Sequence, residues 1–122
     1  MKFFKKYFQL MGKKLNEVDY DLFLNTIELI ENVRDKNSKI IFAGNGGSAA
    51  MSSHLTVDMT KVGNVRSINF NEADLLTCFS NDYGYESVYE KAIEFYGDPG
   101  DLAILISSSG KSQNMVNAAK KA

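Results

Sequence analysis

The repeat of apolar positions changes along the chain, and each change marks an element. Residues 3–12 (FFKKYFQLMG) mix aromatic, aliphatic and polar positions as a helix does, with Lys5, Lys6, Lys13 and Lys14 toward solvent. From Glu17 to Lys36, the residues Phe23, Ile27, Ile30 and Val33 recur at helical spacing and predict a longer helix with one apolar face. Glu17, Asp19 and Asp21 gather at its front and Arg34 and Lys36 at its end, the polarity that complements a helix dipole. The period then shortens. Lys39–Ala43 is an apolar run stopped by Gly44 and predicts a buried strand. Met51, Leu55, Met59 and Val62 place the next helix over 48–61 and give it an inward face.

Residues 65–70 predict a second strand, 72–81 and 86–95 two more helices, and Gly97-Asp98-Pro99-Gly100 a turn. Residues 101–107 (DLAILIS) form an unbroken apolar run, as expected of a strand with helices over both faces. A polar loop then opens a last helix. The order strand, helix, strand, helices, strand, helix predicts an α/β fold, a three-layer parallel sheet, preceded by a helical segment over 1–37. A sheet over 38–122 with so few strands is small, and its last strand is left bare on one side.

Composition narrows the class. Of 122 residues, 44% are hydrophobic and 24% charged, enough apolar material for a core and too much for a disordered chain. The net charge of −1 gives no pull toward nucleic acid or an anionic membrane. A single cysteine, Cys78, cannot close an internal disulfide, which sets the expectation of a cytoplasmic protein. No apolar run is long enough to span a membrane, and the basic, aromatic N-terminus lacks the pattern of a secretory signal.

Two loops carry the strongest chemistry. Gly44-Asn45-Gly46-Gly47-Ser48 and Ser107-Ser108-Ser109-Gly110-Lys111-Ser112 each join a strand to a helix. Glycines let backbone approach a ligand, a helix N-terminus offers free N–H groups, and serine hydroxyls add donors. Both loops fall at the carboxyl ends of parallel strands, where open sheets bind ligands. Neither matches the nucleotide P-loop or the dinucleotide fingerprint, which points to a smaller phosphorylated ligand. Ser107, Ser108, Ser109 and Ser112 form the expected phosphate cradle. The plain alternative is glycines that only turn the chain and serines that only cap helices.

His54 and Asp58, four residues apart on a helix, share a face. Either they pack as an ordinary polar pair, or they form half of a metal site or an acid–base pair. Asp58 lies roughly 15 Å along the helix from Ser48, so one small ligand meets both loops and Asp58 most easily in a site shared between subunits. Asn81 and Asp82, before Gly84, either end a helix or hydrogen-bond sugar hydroxyls. Cys78 has no basic neighbour to lower its pKa and is expected to be structural. Phe3, Phe4, Tyr7 and Phe8 need burial that a subunit contact would supply.

The motifs GNGGS, NDYG and SSSGKS, in this order, resemble the sugar isomerase (SIS) domain, closest to its phosphoheptose isomerase branch. The resemblance implies a flavodoxin-like five-stranded parallel sheet, N-terminal helices building a dimer or tetramer, and active sites between subunits. It implies isomerisation of a phosphorylated sugar through an enediol, as from sedoheptulose 7-phosphate to D-glycero-D-manno-heptose 7-phosphate, feeding lipopolysaccharide or capsule synthesis. Asn45, Gly46 and Ser48 would meet the substrate, the serine loop its phosphate, and Asn81 and Asp82 its hydroxyls. His54 matches a zinc ligand of some members, and Asp58 stands where the family carries its catalytic glutamate, one methylene shorter, so that His54 and Asp58 would hold any zinc. The family continues to further strands, a second acid–base histidine and a glutamine with no counterpart here. These 122 residues alone are therefore expected to be catalytically silent. A second reading is a non-catalytic SIS protein that senses a phosphosugar or binds a replication initiator.

Overall fold

In the computed structural model, which describes residues 1–122, the apolar run Lys39–Gly44 becomes the central strand β1, buried at every position. Alternate side chains explain this burial: Ile40 and Phe42 enter one core, Ile41 and Ala43 the other. Strands β2 (Arg66–Asn69) and β3 (Leu102–Ile106) flank β1, both parallel to it, in the order β2-β1-β3. Helices α1 (Lys2–Asn16) and α2 (Tyr20–Asp35) precede the sheet, α3 (Gly47–Lys61) joins β1 to β2, and α4 (Ala73–Tyr83) and α5 (Val88–Tyr96) lead to β3. Helix α6 (Gln113–Lys121) follows β3. One face of the sheet packs Val88, Tyr89, Ala92 and Ile93 of α5 and Met115 and Ala118 of α6. The other packs Val33 of α2 with Leu55 and Met59 of α3. The layered α/β arrangement expected from the sequence is therefore present.

Strand β3 packs Ala103 and Leu105 on one core and Leu102 and Ile104 on the other, and its outer edge is bare as expected, because it pairs with β1 alone. Two packing expectations need correction. The inward face of α3 uses Ser52, Leu55 and Met59, whereas Met51 and Val62 are 56% and 79% exposed. The helix stops at Lys61, leaving Val62 outside it, and Ser52 turns inward with its hydroxyl donating to the Ser48 carbonyl at 2.9 Å. On α2, Val33 is buried and Ile30 partly so, but Phe23 and Ile27 are half exposed. Helix α1 buries no residue at all. The apolar faces that the sequence predicts here exist, with nothing in this chain to cover them.

The turn at Gly97–Gly100 does more than reverse the chain. Lys39, buried at the start of β1, places its ammonium between the carboxylates of Asp98 and Asp101. Asp101 also accepts from the Lys39 amide at 2.9 Å and the Asp98 amide at 2.8 Å, tying the amino ends of β1 and β3. Burial pushes the Asp101 carboxyl up, but the Lys39 ammonium and the two amides outweigh it and hold it below the usual aspartate value. Burial likewise opposes the charge on Lys39, and the two carboxylates outweigh that and raise it. A depressed carboxyl stabilises the fold above its unfolded value of 3.8, and this is lost as pH falls through the lower folded value. Asp101→Asn is therefore expected to cost about 1.5–3 kcal/mol at neutral pH. The gap to the unmodified chain should narrow as pH drops below about 4 in denaturant titrations.

Candidate functional site

The site is built from what β1 and β3 do at their carboxyl ends. At Gly44 the chain folds back so tightly that a Cβ would lie 2.7 Å from the backbone of Ser48. That closeness sets the first turn of α3 directly over the end of β1. Gly46 then takes φ +54°, a left-handed conformation that costs glycine little, and precedes α3 without any side-chain cap. A Cβ at Gly46 or Gly47 would meet nothing, so this backbone lies bare to a ligand. Beneath the turn, the Tyr89 hydroxyl donates to the Gly44 carbonyl at 2.7 Å. Burial, helped by Tyr85, pushes Tyr89 up to about 12, so it remains a neutral donor.

After β3, Ser107, Ser109 and Ser112 gather their hydroxyls. Ser107 Oγ lies 3.5 Å from Ser109 Oγ and 3.4 Å from Ser112 Oγ. The Gly110 amide donates to Ser107 Oγ and the Lys111 amide to Ser109 Oγ, each at 3.2 Å. Ser112 precedes α6, yet its hydroxyl makes no cap bond, and capping alone does not account for the loop. Ser108 is exposed and has no internal partner among these bonds.

The two loops are joined. Asn45 Nδ2 donates to Asn114 Oδ1 at 2.9 Å, and Asn114 Nδ2 donates back to Asn45 Oδ1 at 2.8 Å. The Tyr85 hydroxyl donates to the same Asn45 Oδ1 at 2.9 Å. Asn81 and Asp82 lie on the last turn of α4, exposed, with Asn81 Nδ2 donating to Asp82 Oδ1 at 2.9 Å. No hydrogen bond joins either to the loops; the segment they lead into reaches the site through Tyr85. Asn114, Tyr85 and Tyr89 were not singled out from the sequence. The available signal was a lone asparagine on the apolar stripe that Met115 and Ala118 continue.

His54 and Asp58 do face each other, Nε2 to Oδ2 at 3.4 Å, on the outer side of α3. Their side chains are 79% and 51% exposed, and no hydrogen bond or ion pair links them to the serine loop. They offer two metal donors, and no third histidine, cysteine, aspartate or glutamate comes near. A catalytic zinc ion takes three protein ligands, so this chain by itself does not complete such a site. Cys78 is exposed, its thiol 3.7 Å from Asp82 Oδ2. No helix is long and apolar enough to cross a membrane.

Comparison with known proteins fits this geometry. A family profile described as SIS domain matches residues 3–122. The chain is 32% identical over 127 residues to a phosphoheptose isomerase of Fusobacterium nucleatum, covering 98% of this chain and 64% of that one. It is 40% identical over 91 residues to a phosphoheptose isomerase of Maridesulfovibrio salexigens, covering 70% of this chain and 44% of the relative. The solved phosphoheptose isomerase from Neisseria gonorrhoeae superposes with a TM-score of 0.87 at 29% identity, covering 98% of this chain and 65% of that one. One from Francisella tularensis, at 20% identity and a TM-score of 0.85, shares the fold. The chain thus spans less than two-thirds of the length of these relatives.

Proposed function

This chain belongs to the SIS domain family, and from that premise we propose that the whole protein is a phosphosugar isomerase of the phosphoheptose isomerase type. The observation that carries the reading is the gathering of three serine hydroxyls beside the glycine turn, the two laced together by Asn45 and Asn114. Ser107, Ser109 and Ser112 hold the phosphate, with Ser108 at the rim. Ser48 and the bare amides at Gly46 and Gly47 meet the sugar chain, as does the Nδ2 hydrogen that Asn45 has left. Asn81 and Asp82 stand toward the hydroxyls. Asp58 takes the proton from the carbon beside the carbonyl. The electron pair forms the enediol, and the proton returns to the neighbouring carbon as the carbonyl changes place. The sugar oxygens also need an acid, and none of the residues named above is assigned that role.

Asp58 is half exposed and makes no hydrogen bond or ion pair to its own serine loop, and this favours a site shared between copies. The bare apolar faces of α1 and α2 supply the contact for a homo-oligomer, a dimer or tetramer. A zinc ion at His54 and Asp58 would need further ligands from beyond this chain, and no step depends on it here. Turnover of sedoheptulose 7-phosphate by the full-length protein tests the reading. Binding without turnover would instead support the phosphosugar-sensing alternative. The 122 residues alone are expected to give no turnover in the same assay. Within the active protein, Ser112→Ala removes one donor to the phosphate, about 1.4 kcal/mol. It is expected to raise KM for the phosphosugar about tenfold with little change in kcat.

A further inference from the structure

Asn114 is 3% exposed, and its amide is turned toward Asn45 rather than toward solvent. It sits in the first turn of α6, two residues after Ser112, so its place is fixed by the helix that the serine loop opens. Asn45 stands on the other loop, one residue past β1. The pair is reciprocal: each amide donates to the other and accepts from it, which fixes both side-chain orientations. Tyr85 fills the second acceptor position of Asn45 Oδ1. With both carbonyl lone pairs taken and one Nδ2 hydrogen given to Asn114, Asn45 keeps a single N–H to offer a ligand. The direction of that N–H is set by Asn114. Asn117, one turn further along α6, donates to the Glu86 carbonyl at 3.0 Å, so the same helix also holds the segment that carries Tyr85.

We propose that Asn114 is a positioning residue that couples the two loops: an anion ordering the serine loop and the start of α6 thereby orders Asn45 and the glycine turn. This deepens the phosphosugar reading and rests on it. A side chain that merely filled space could be replaced by one of equal size, whereas coupling needs a donor and an acceptor facing Asn45. Asn114→Asp keeps the size and sets an oxygen against Asn45 Oδ1 in place of the donor.

The test is hydrogen exchange of the full-length protein read by mass spectrometry, with and without inorganic phosphate. In the unmodified protein, phosphate is expected to slow exchange in peptides spanning both 44–50 and 105–113. In Asn114→Asp, protection of 105–113 should persist, while protection of 44–50 should fall at least threefold. Tyr85→Phe, which removes an exposed tyrosine's bond, gives a second variant with a smaller loss at 44–50. Equal protection of 44–50 in Asn114→Asp and the unmodified protein overturns the coupling. Protection confined to 105–113 in the unmodified protein overturns it as well and leaves the phosphate reading standing. Protection of neither segment overturns the phosphate reading and the coupling together.

Discussion

Asp58→Asn in the full-length protein is expected to lower kcat by about 10²–10⁴-fold and to leave KM within about threefold. The change keeps the side chain's size and removes its ability to accept a proton. The proposed phosphate anchor is elsewhere, on Ser107, Ser109 and Ser112, so ground-state binding has no reason to fail. Stability should also hold, because the carboxylate is half exposed and its one close partner is the more exposed His54 at 3.4 Å. Asp58→Glu gives the contrast: the added methylene restores the reach of the family's glutamate, and a gain in kcat is the expected result. Progress curves with sedoheptulose 7-phosphate decide both. An unchanged kcat in Asp58→Asn removes Asp58 from the chemistry and leaves the isomerase reading standing on another base.

Phe4→Glu together with Phe8→Glu is expected to dissociate the proposed homo-oligomer and to take activity to background. These rings lie four residues apart on one face of α1 and are 62% and 63% exposed, so only their edge contacts with Phe3 and Tyr7 on the same helix are lost when they change. Each phenylalanine buried between copies contributes about 1.5–3 kcal/mol. Losing two from each of two copies raises the dissociation constant by at least roughly 10⁴-fold, before the repulsion of the new charges is added. Sedimentation velocity reads the assembly and the isomerase assay reads the site. A monomer that keeps full activity would show that Asp58 and the serine loop of one copy suffice. A variant that stays assembled would place the contact on another surface.

Much of the fold was legible because its signals are local. The change from helical spacing over Phe23–Val33 to the unbroken run of Lys39–Ala43 follows from which side chains must leave water, and both elements formed. Asp19, expected among the acidic residues at the front of α2, caps it by accepting from the Asp21 amide at 2.9 Å. The two loops were legible for the same reason, since glycines and serines between an apolar run and a helical pattern mark where a strand ends and a helix begins. What local pattern could not give was which way a face turns. The spacing Met51-Leu55-Met59-Val62 is helical, yet Ser52 is the buried member and Val62 lies beyond the helix, a choice made by packing on β1 and β2. Gly97–Gly100 reads as a turn; only the fold brings Asp98 and Asp101 to Lys39, some sixty residues earlier in the chain.

By itself, then, the sequence determined the alternation of strand and helix and the two loops at the strand ends. All of these depend on residues within a few positions of one another. The tertiary structure alone decided that Asn114 meets Asn45 across 69 residues, that Tyr89 supports the glycine turn from below, and that Asp58 lies exposed beside His54. It also decided that the apolar faces of α1 and α2 remain uncovered. The reason is that a side chain's periodicity says which residues share a face, and only the packed sheet says what that face meets.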